Sequence, residues 1–325
     1  MPLIHSSYYA PTWLRNGHIQ SILPSLFRRV HGVNYVRERV DTPDGDFLDL
    51  DWSCVNSRRV VIICHGLEGS SDRPYMRGMA MAFNHAGWDA LAWNYRGCSG
   101  EPNRLVRSYH SGETGDLNYV VQHALKKYHR MALIGFSLGG NLVLKYTGER
   151  RVPTAIGSVV AVSAPCDLRA SAVRMEGWED RIYMRRFLRM LGEKLTEKQK
   201  YFPNAIDLRG YNRIRTFREF DDRFTAPMHG FRDAEDYWER CSSKSYLSSI
   251  SVSTLILSAE DDPFLTPECF PTDVAIENER IHLELTTHGG HVGFIETKDD
   301  GQYYSERRAV EFINEAERSV AGDGL

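Results

Sequence analysis

Met131-Ala132-Leu133-Ile134-Gly135-Phe136-Ser137-Leu138-Gly139-Gly140-Asn141-Leu142-Val143-Leu144 is the stretch whose reading decides the fold. A short apolar strand runs into a Gly-x-Ser-x-Gly turn, and a run with helical spacing follows at once. A strand that becomes a helix within so few residues needs a tight corner, and the corner residue is held in a strained backbone conformation. Glycines two positions either side remove the Cβ atoms where strand and helix approach, leaving the Ser137 hydroxyl exposed at the carboxyl edge of a sheet. The bare pattern also arises by accident. The strand before it and the helix after it make Ser137 a candidate nucleophile.

Working outward, Val60-Val61-Ile62-Ile63-Cys64 is a continuous β-branched run, as expected for a strand buried on both faces of a parallel sheet. Residues 156–163, 254–258 and 281–285 read the same way, and 88–94 supplies one more strand. Helices are predicted over 74–86, closed by Gly87, over 116–128 and over 303–320, where Val310, Phe312 and Ile313 are the expected buried residues. Repeated strand–helix units imply an α/β fold, a mostly parallel central sheet with helices on both faces. Residues 34–41 and 46–53 read as a hairpin around Pro43-Asp44-Gly45. Leu48, Leu50 and Trp52 alternate there with Asp49 and Asp51, as if one face were wet.

Two segments stand outside that rhythm. Residues 1–33 form an aromatic and basic leader, read as a strap along one edge of the sheet, with Pro11 and Pro24 limiting it to short helical pieces. Residues 164–253 lack a clear parallel strand and read as a helical lid inserted into the single domain spanning 1–325. Within the insertion a basic amphipathic helix is predicted over 180–195. Met184, Phe187, Leu188, Leu191 and Leu195 form its apolar stripe, with Arg181, Arg185, Arg186 and Arg189 largely off it. That pattern suits packing over an acyl pocket, with Phe187 on its wall; contact with anionic lipid is the rival reading.

The bulk numbers narrow the function classes. A formal charge of −3 gives no reason to expect nucleic acid. The six cysteines are scattered without a C-x-x-C pair, so free thiols of a reducing cytoplasm are expected rather than disulfides or a zinc site. Residues 1–13 have neither the basic nor the apolar region of a signal peptide. No apolar run approaches the roughly 18 residues of a spanning helix, so no transmembrane segment is expected and peripheral membrane contact stays open. The expected location is cytoplasmic, and monomer and dimer are equally open.

A serine hydroxyl is a weak nucleophile at neutral pH. It needs a general base within hydrogen-bond reach, and the base needs a carboxylate to fix its tautomer. In open parallel sheets such groups come from loops at the carboxyl ends of strands. After residues 254–258 comes Ala259-Glu260-Asp261-Asp262-Pro263-Phe264, and after 281–285 comes Thr287-His288-Gly289-Gly290-His291-Val292-Gly293-Phe294. Asp262 is preferred to Asp261 because the following proline biases it to an extended conformation pointing off the strand. His291 is preferred for its glycine-flanked loop. The order Ser137, Asp262, His291 is that of α/β-hydrolase triads. Backbone N–H groups for an oxyanion are expected from Leu138, at the helix start, and Leu67, in the glycine-rich turn His65-Gly66-Leu67-Glu68-Gly69. This chemistry requires no metal or organic cofactor.

These segments, with Asn94-Tyr95-Arg96-Gly97-Cys98-Ser99-Gly100, Tyr109-His110-Ser111-Gly112-Glu113-Thr114, Asn16-Gly17-His18-Ile19-Gln20-Ser21 and Glu219-Phe220-Asp221-Asp222-Arg223-Phe224-Thr225-Ala226-Pro227, resemble the YheT-like branch of the α/β-hydrolases. That branch includes the eukaryotic abhydrolase-domain proteins one and three. The resemblance covers nearly the whole chain. It implies a serine hydrolase of carboxylic esters, small-molecule or lipid, with Ser137, Asp262 and His291 as the matching triad positions. Some relatives act on medium-chain acyl esters, acylglycerols or phospholipids, and some pass the acyl group to an alcohol. An acyltransferase on the same triad, and a catalytically silent binding protein on the same fold, are the alternatives.

Overall fold

Nine strands form one sheet in the computed structural model, which describes residues 3–296 and 301–322. They are β1 (Leu3–His5), β2 (Val36–Asp41), β3 (Phe47–Ser53), β4 (Arg59–Cys64), β5 (Asp89–Asn94), β6 (Arg130–Phe136), β7 (Ile156–Val162), β8 (Ser253–Ala259) and β9 (Ile281–Thr286). Their order across the sheet is β1-β9-β8-β7-β6-β4-β5-β3-β2. Only the β2–β3 and β3–β5 pairings are antiparallel; the others are parallel.

The uninterrupted apolar runs follow from burial on both faces. Along β4, Val60, Ile62 and Cys64 enter one core while Val61 and Ile63 enter the other. Both sets are fully enclosed, and replacing Ile62 by alanine is expected to cost about 2–5 kcal/mol. Helix α1 (Gly17–Phe27) lies outside these layers, against the loop after β9. Helix α2 (Pro74–His85) covers one face through Met76, Met79 and Phe83. Helices α3 (Thr114–Leu125) and α4 (Leu138–Glu149) cover the other through Leu117, Val120, Val121, Leu142 and Tyr146.

Between β7 and β8 the chain is helical: α5 (Leu168–Arg174), α6 (Arg181–Gln199), α7 (Phe217–Phe220), α8 (Ala226–His229) and α9 (Ala234–Cys241). Thr216 and Glu219 cap the start of α7 reciprocally, a π turn over Asp221–Thr225 joins it to α8, and Gly230 at φ 75° ends α8. The stripe of α6 buries Met184, Leu188 and Leu195 against Phe220, Phe224 and Phe264, while Arg181, Arg185, Arg186 and Arg189 stay exposed. Helices α10 (Thr272–Glu277) and α11 (Tyr304–Gly322) complete the chain, α11 packing Ala309, Phe312 and Ile313 on the α2 face with Val310 half-buried.

Three local expectations change. Helix α1 continues through Pro24 to Phe27, so that proline does not break it. Pro24 lacks the N–H that would bond the Gln20 carbonyl, and that carbonyl instead lies against Gly293, where an added Cβ would come within 2.5 Å of it. The expected wet face of the hairpin is covered. Asp49 and Asp51 are buried, each gripped by a two-pronged arginine, Arg39 and Arg37 respectively, and Asn94 adds a further bond to Asp51. The leader also adds β1 to the sheet, Leu3 registering with Leu283, while residues 1–2 lie outside the described chain.

Candidate active site

Ser137 sits between β6 and α4 with φ 53° and ψ −119°, a conformation that costs a residue with a side chain about 1–3 kcal/mol. Close packing enforces it. A Cβ on Gly135 would fall 2.0 Å from the Gly139 carbonyl oxygen, and one on Gly139 would fall 2.3 Å from that of Cys64. The Ser137 N–H donates to Val162 O at 2.9 Å, tying the corner to β7.

The loops after β8 and β9 meet this corner. His291 Nε2 lies 2.8 Å from Ser137 Oγ, and His291 Nδ1 lies 2.8 Å from Asp262 Oδ2. A carboxylate only accepts, so Nδ1 carries the imidazole proton and Nε2 is free to accept from the serine hydroxyl. Asp262 is 4% exposed, its other oxygen accepts the Phe264 N–H at 2.8 Å, and the Phe264 ring packs 4.4 Å from the imidazole. The adjacent Asp261 turns elsewhere. It accepts the Gly290 N–H at 2.8 Å and stands 3.3 Å from His288 Nδ1, bracing the loop rather than reaching His291.

The backbone around His291 is held from two other directions. Its N–H donates to Ser21 Oγ at 2.8 Å, and that hydroxyl donates to Gly17 O at 2.6 Å within α1. The N–H of Val292, at φ 65°, donates to Ser163 Oγ at 3.1 Å, and Ser163 itself has φ 52°. Three positions around His291, Gly289, Gly290 and Val292, have positive φ, and the strain at Val292 would not persist without such anchors.

The turn after β4 leaves one amide over. The Gly66 N–H donates to Tyr75 OH at 3.0 Å, that of Glu68 to Tyr109 OH at 2.8 Å, and that of Gly69 to Gly66 O at 3.0 Å. The Leu67 N–H has no acceptor among the described residues, nor has that of Leu138, and both residues line the same cavity as Ser137 and His291. Beneath the turn His65 is fully buried, accepting the Tyr95 N–H at Nε2 and donating to Gly66 O at 2.7 Å. Burial depresses its pKa to about 3, so it stays neutral.

That cavity runs from Ser137 beneath α6 to α8. Phe187, Leu191, Phe217, Phe220, Phe224, Phe264 and Trp238 make it largely apolar. Its lining also includes polar groups: Lys194, Lys198, His110, His229 and Asp221. Burial lowers Lys198 to about 7 and raises Asp221 to about 7, and His229 is lowered to about 3 by burial and by the neighbouring His110. His110, Glu113 and His229 bring ligand atoms within 4.8 Å of one another. Glu113 is already paired with Arg107, and Arg107 and Lys198 both act on His229, so a cation there would meet like charge.

Ser137, Asp262 and His291 are thus brought together, with Leu67 and Leu138 at the same cavity. Ser21, Ser163, Tyr75 and Tyr109 went unsuspected in the sequence. Ser21 and Tyr109 do lie in motifs singled out above, which was the available signal.

Residues 59–297 match the profile of the alpha/beta hydrolase fold family. The chain is 38% identical over 288 residues to the YheT protein of Escherichia coli, covering 86% of this chain and 84% of that one. It is 29% identical over 307 residues to phospholipase ABHD3 of Mus musculus, covering 91% and 75% respectively. The Pyrococcus furiosus esterase Pf2001 superposes with a TM-score of 0.58 over 89% of this chain and 96% of its own, at 20% identity, a likeness of fold alone.

Proposed function

The chain belongs to the α/β-hydrolase family, in its YheT-like branch, and from that premise we propose that, as a carboxylic ester hydrolase, it works through Ser137, His291 and Asp262 by way of an acyl-enzyme. The observation that carries the reading is the unbroken hydrogen-bonded series Ser137–His291–Asp262, both links 2.8 Å, at the base of an apolar cavity.

His291 Nε2 takes the hydroxyl proton as Ser137 Oγ attacks the ester carbonyl carbon. Negative charge passes to the carbonyl oxygen, where the Leu67 and Leu138 N–H groups receive it, aided by the positive end of α4. The carbon–oxygen bond to the alcohol then breaks, and His291 gives its proton to the departing oxygen. Water, deprotonated by the same nitrogen, attacks the acyl-serine; the acid leaves and the proton returns to Ser137. Asp262 stays ionised throughout and steadies the imidazolium.

Helices α5–α9 serve as a cap over the acyl chain, and the ring of phenylalanines limits it to short or medium length. Labelling by a fluorophosphonate, abolished in Ser137→Ala, tests the nucleophile. An ester panel of graded acyl length tests the cavity. An intact protein that takes no label and turns over no ester would refute the reading.

A further inference from the structure

A second opening reaches the same serine. It is lined by Ser21, Ile22 and Pro24 of α1 on one side and by Tyr183, Arg186 and Met190 of α6 on the other, and it meets Ser137 and His291 at its base. The two helices touch beside it, where His18 stacks on Tyr183 with ring centres 5.8 Å apart. The acyl cavity lies beneath α6, so the site opens outward between α1 and α6.

The surface beside this mouth carries side chains that water disfavours. On α1, Ile19, Ile22 and Leu26 recur at i, i+3 and i+7 on one exposed face, and Phe27 follows at 70% exposure. Across the mouth, at the head of α6, Trp178 and Ile182 are 79% and 78% exposed, the highest values of any large apolar side chain described. Arg181, Arg185 and Arg186 project among them. None has a carboxylate partner among the described residues, since Glu179 and Asp180 are engaged by Arg174. A chain of net charge −3 thus gathers unneutralised positive charge at the one rim where its apolar side chains are most exposed.

We propose that this face, formed by α1 and the head of α6, docks on an anionic lipid surface and sets the second opening against it. Tryptophan and isoleucine would sink into the boundary of head groups and chains while the arginines meet lipid phosphates, each basic residue contributing roughly 1 kcal/mol. A second copy of the chain fits the face less well. A two-fold contact would bring the three arginines of one protomer towards those of its mate, and the exposed carboxylate beside them, Glu179, already faces Arg174. No described helix is long and apolar enough to cross a membrane. The docking stands on the surface alone; only the passage of an ester from lipid to Ser137 rests on the hydrolase reading.

Sedimentation with vesicles of phosphatidylcholine alone and of phosphatidylcholine mixed with phosphatidylglycerol tests it. The full chain is expected to bind the mixed vesicles, about tenfold less the neutral ones, and to release at raised salt. Trp178→Ser with Ile182→Ser, and separately Arg181→Glu with Arg185→Glu, are each expected to lower binding about tenfold. All four side chains lie outside both cavities, so hydrolysis of a water-soluble short-chain ester should stay within about twofold. Equal sedimentation of parent and variants, or no preference for anionic vesicles, overturns the proposal. A concentration-dependent dimer abolished by the same substitutions also overturns it, assigning the face to a second copy. Failure of the hydrolase reading would appear separately, as vesicle binding without ester turnover.

Discussion

The Lys194 ammonium stands 2.8 Å from Glu68 Oε1, joining the cap helix α6 to the turn that presents the Leu67 amide. Glu68 occupies the left-handed region at φ 52°, and Tyr109 OH donates to the same carboxylate at 2.6 Å. A buried carboxylate that loses its cation is costly, and the turn that bears it would shift to let water in. Lys194→Met is therefore expected to lower kcat about tenfold with a smaller change in KM, and to destabilise the fold by about 1–3 kcal/mol. Adding Glu68→Gln should recover part of the stability but not the rate. Steady-state kinetics and thermal melts of the double-mutant cycle check both halves.

Ser21 meets the His291 loop through backbone alone. Ser21→Ala leaves the His291 N–H without its acceptor and frees α1 from the base loop. A fall in kcat/KM of about tenfold is expected, carried by kcat, since nothing that touches the ester is removed. Ser21→Thr, which keeps the hydroxyl, should restore most of it. Equal activity of the alanine variant and the parent would contradict this role.

The two neighbouring aspartates make opposite predictions. Asp262→Asn would favour the wrong tautomer of His291 and is expected to lower kcat by about 10⁴. Asp261→Asn disturbs only the bonds to Gly290 and His288, and activity should stay within about tenfold of the parent. Turnover of one ester by the two purified variants decides between them.

Asp221 gives the fold a pH dependence of its own. Burial raises its carboxyl to about 7 from the ordinary 3.8, although Trp238 and Thr225 both donate to it. The folded chain therefore holds a proton that the unfolded chain has released between those values. Its contribution to stability is full below about pH 4 and drains away as pH rises through 7. Asp221→Asn keeps an acceptor for Trp238 and cannot ionise. Its Tm should match the parent near pH 4 and exceed it at pH 8, by roughly 2–4 kcal/mol in stability. Melting curves at the two pH values measure the difference.

What was legible in the sequence is what depends on near neighbours in the chain. The strands β4, β6, β7 and β8 announced themselves because both of their faces are buried, β9 through its alternating apolar residues Ile281, Leu283 and Leu285, and the Ser137 corner because its glycines are a local steric requirement. Asp262 and His291 could be nominated because each follows a readable strand. Ser21 could not, because its meaning is a contact with a residue 270 positions away. The Asp49–Arg39 and Asp51–Arg37 pairs are different: they are cross-strand neighbours within the hairpin, and only the further cover that Ser71 and Asn94 give Asp51 comes from the tertiary fold. The helical course through Pro24 was equally hidden, since it rests on what the freed Gln20 carbonyl meets at Gly293. The second opening between α1 and α6 belongs to no single segment at all.

The pairing of β1 with β9, Leu3 beside Leu283, has a consequence for the order in which the chain is made. Residues 3–27 leave the ribosome while their partners, β9 and the loop carrying His291, are still unwritten, and contacts so distant in sequence close late. Until then the Ser21 hydroxyl has no His291 N–H to hold. The loop carrying His291 therefore gains its brace from α1 late, once β9 has joined the sheet.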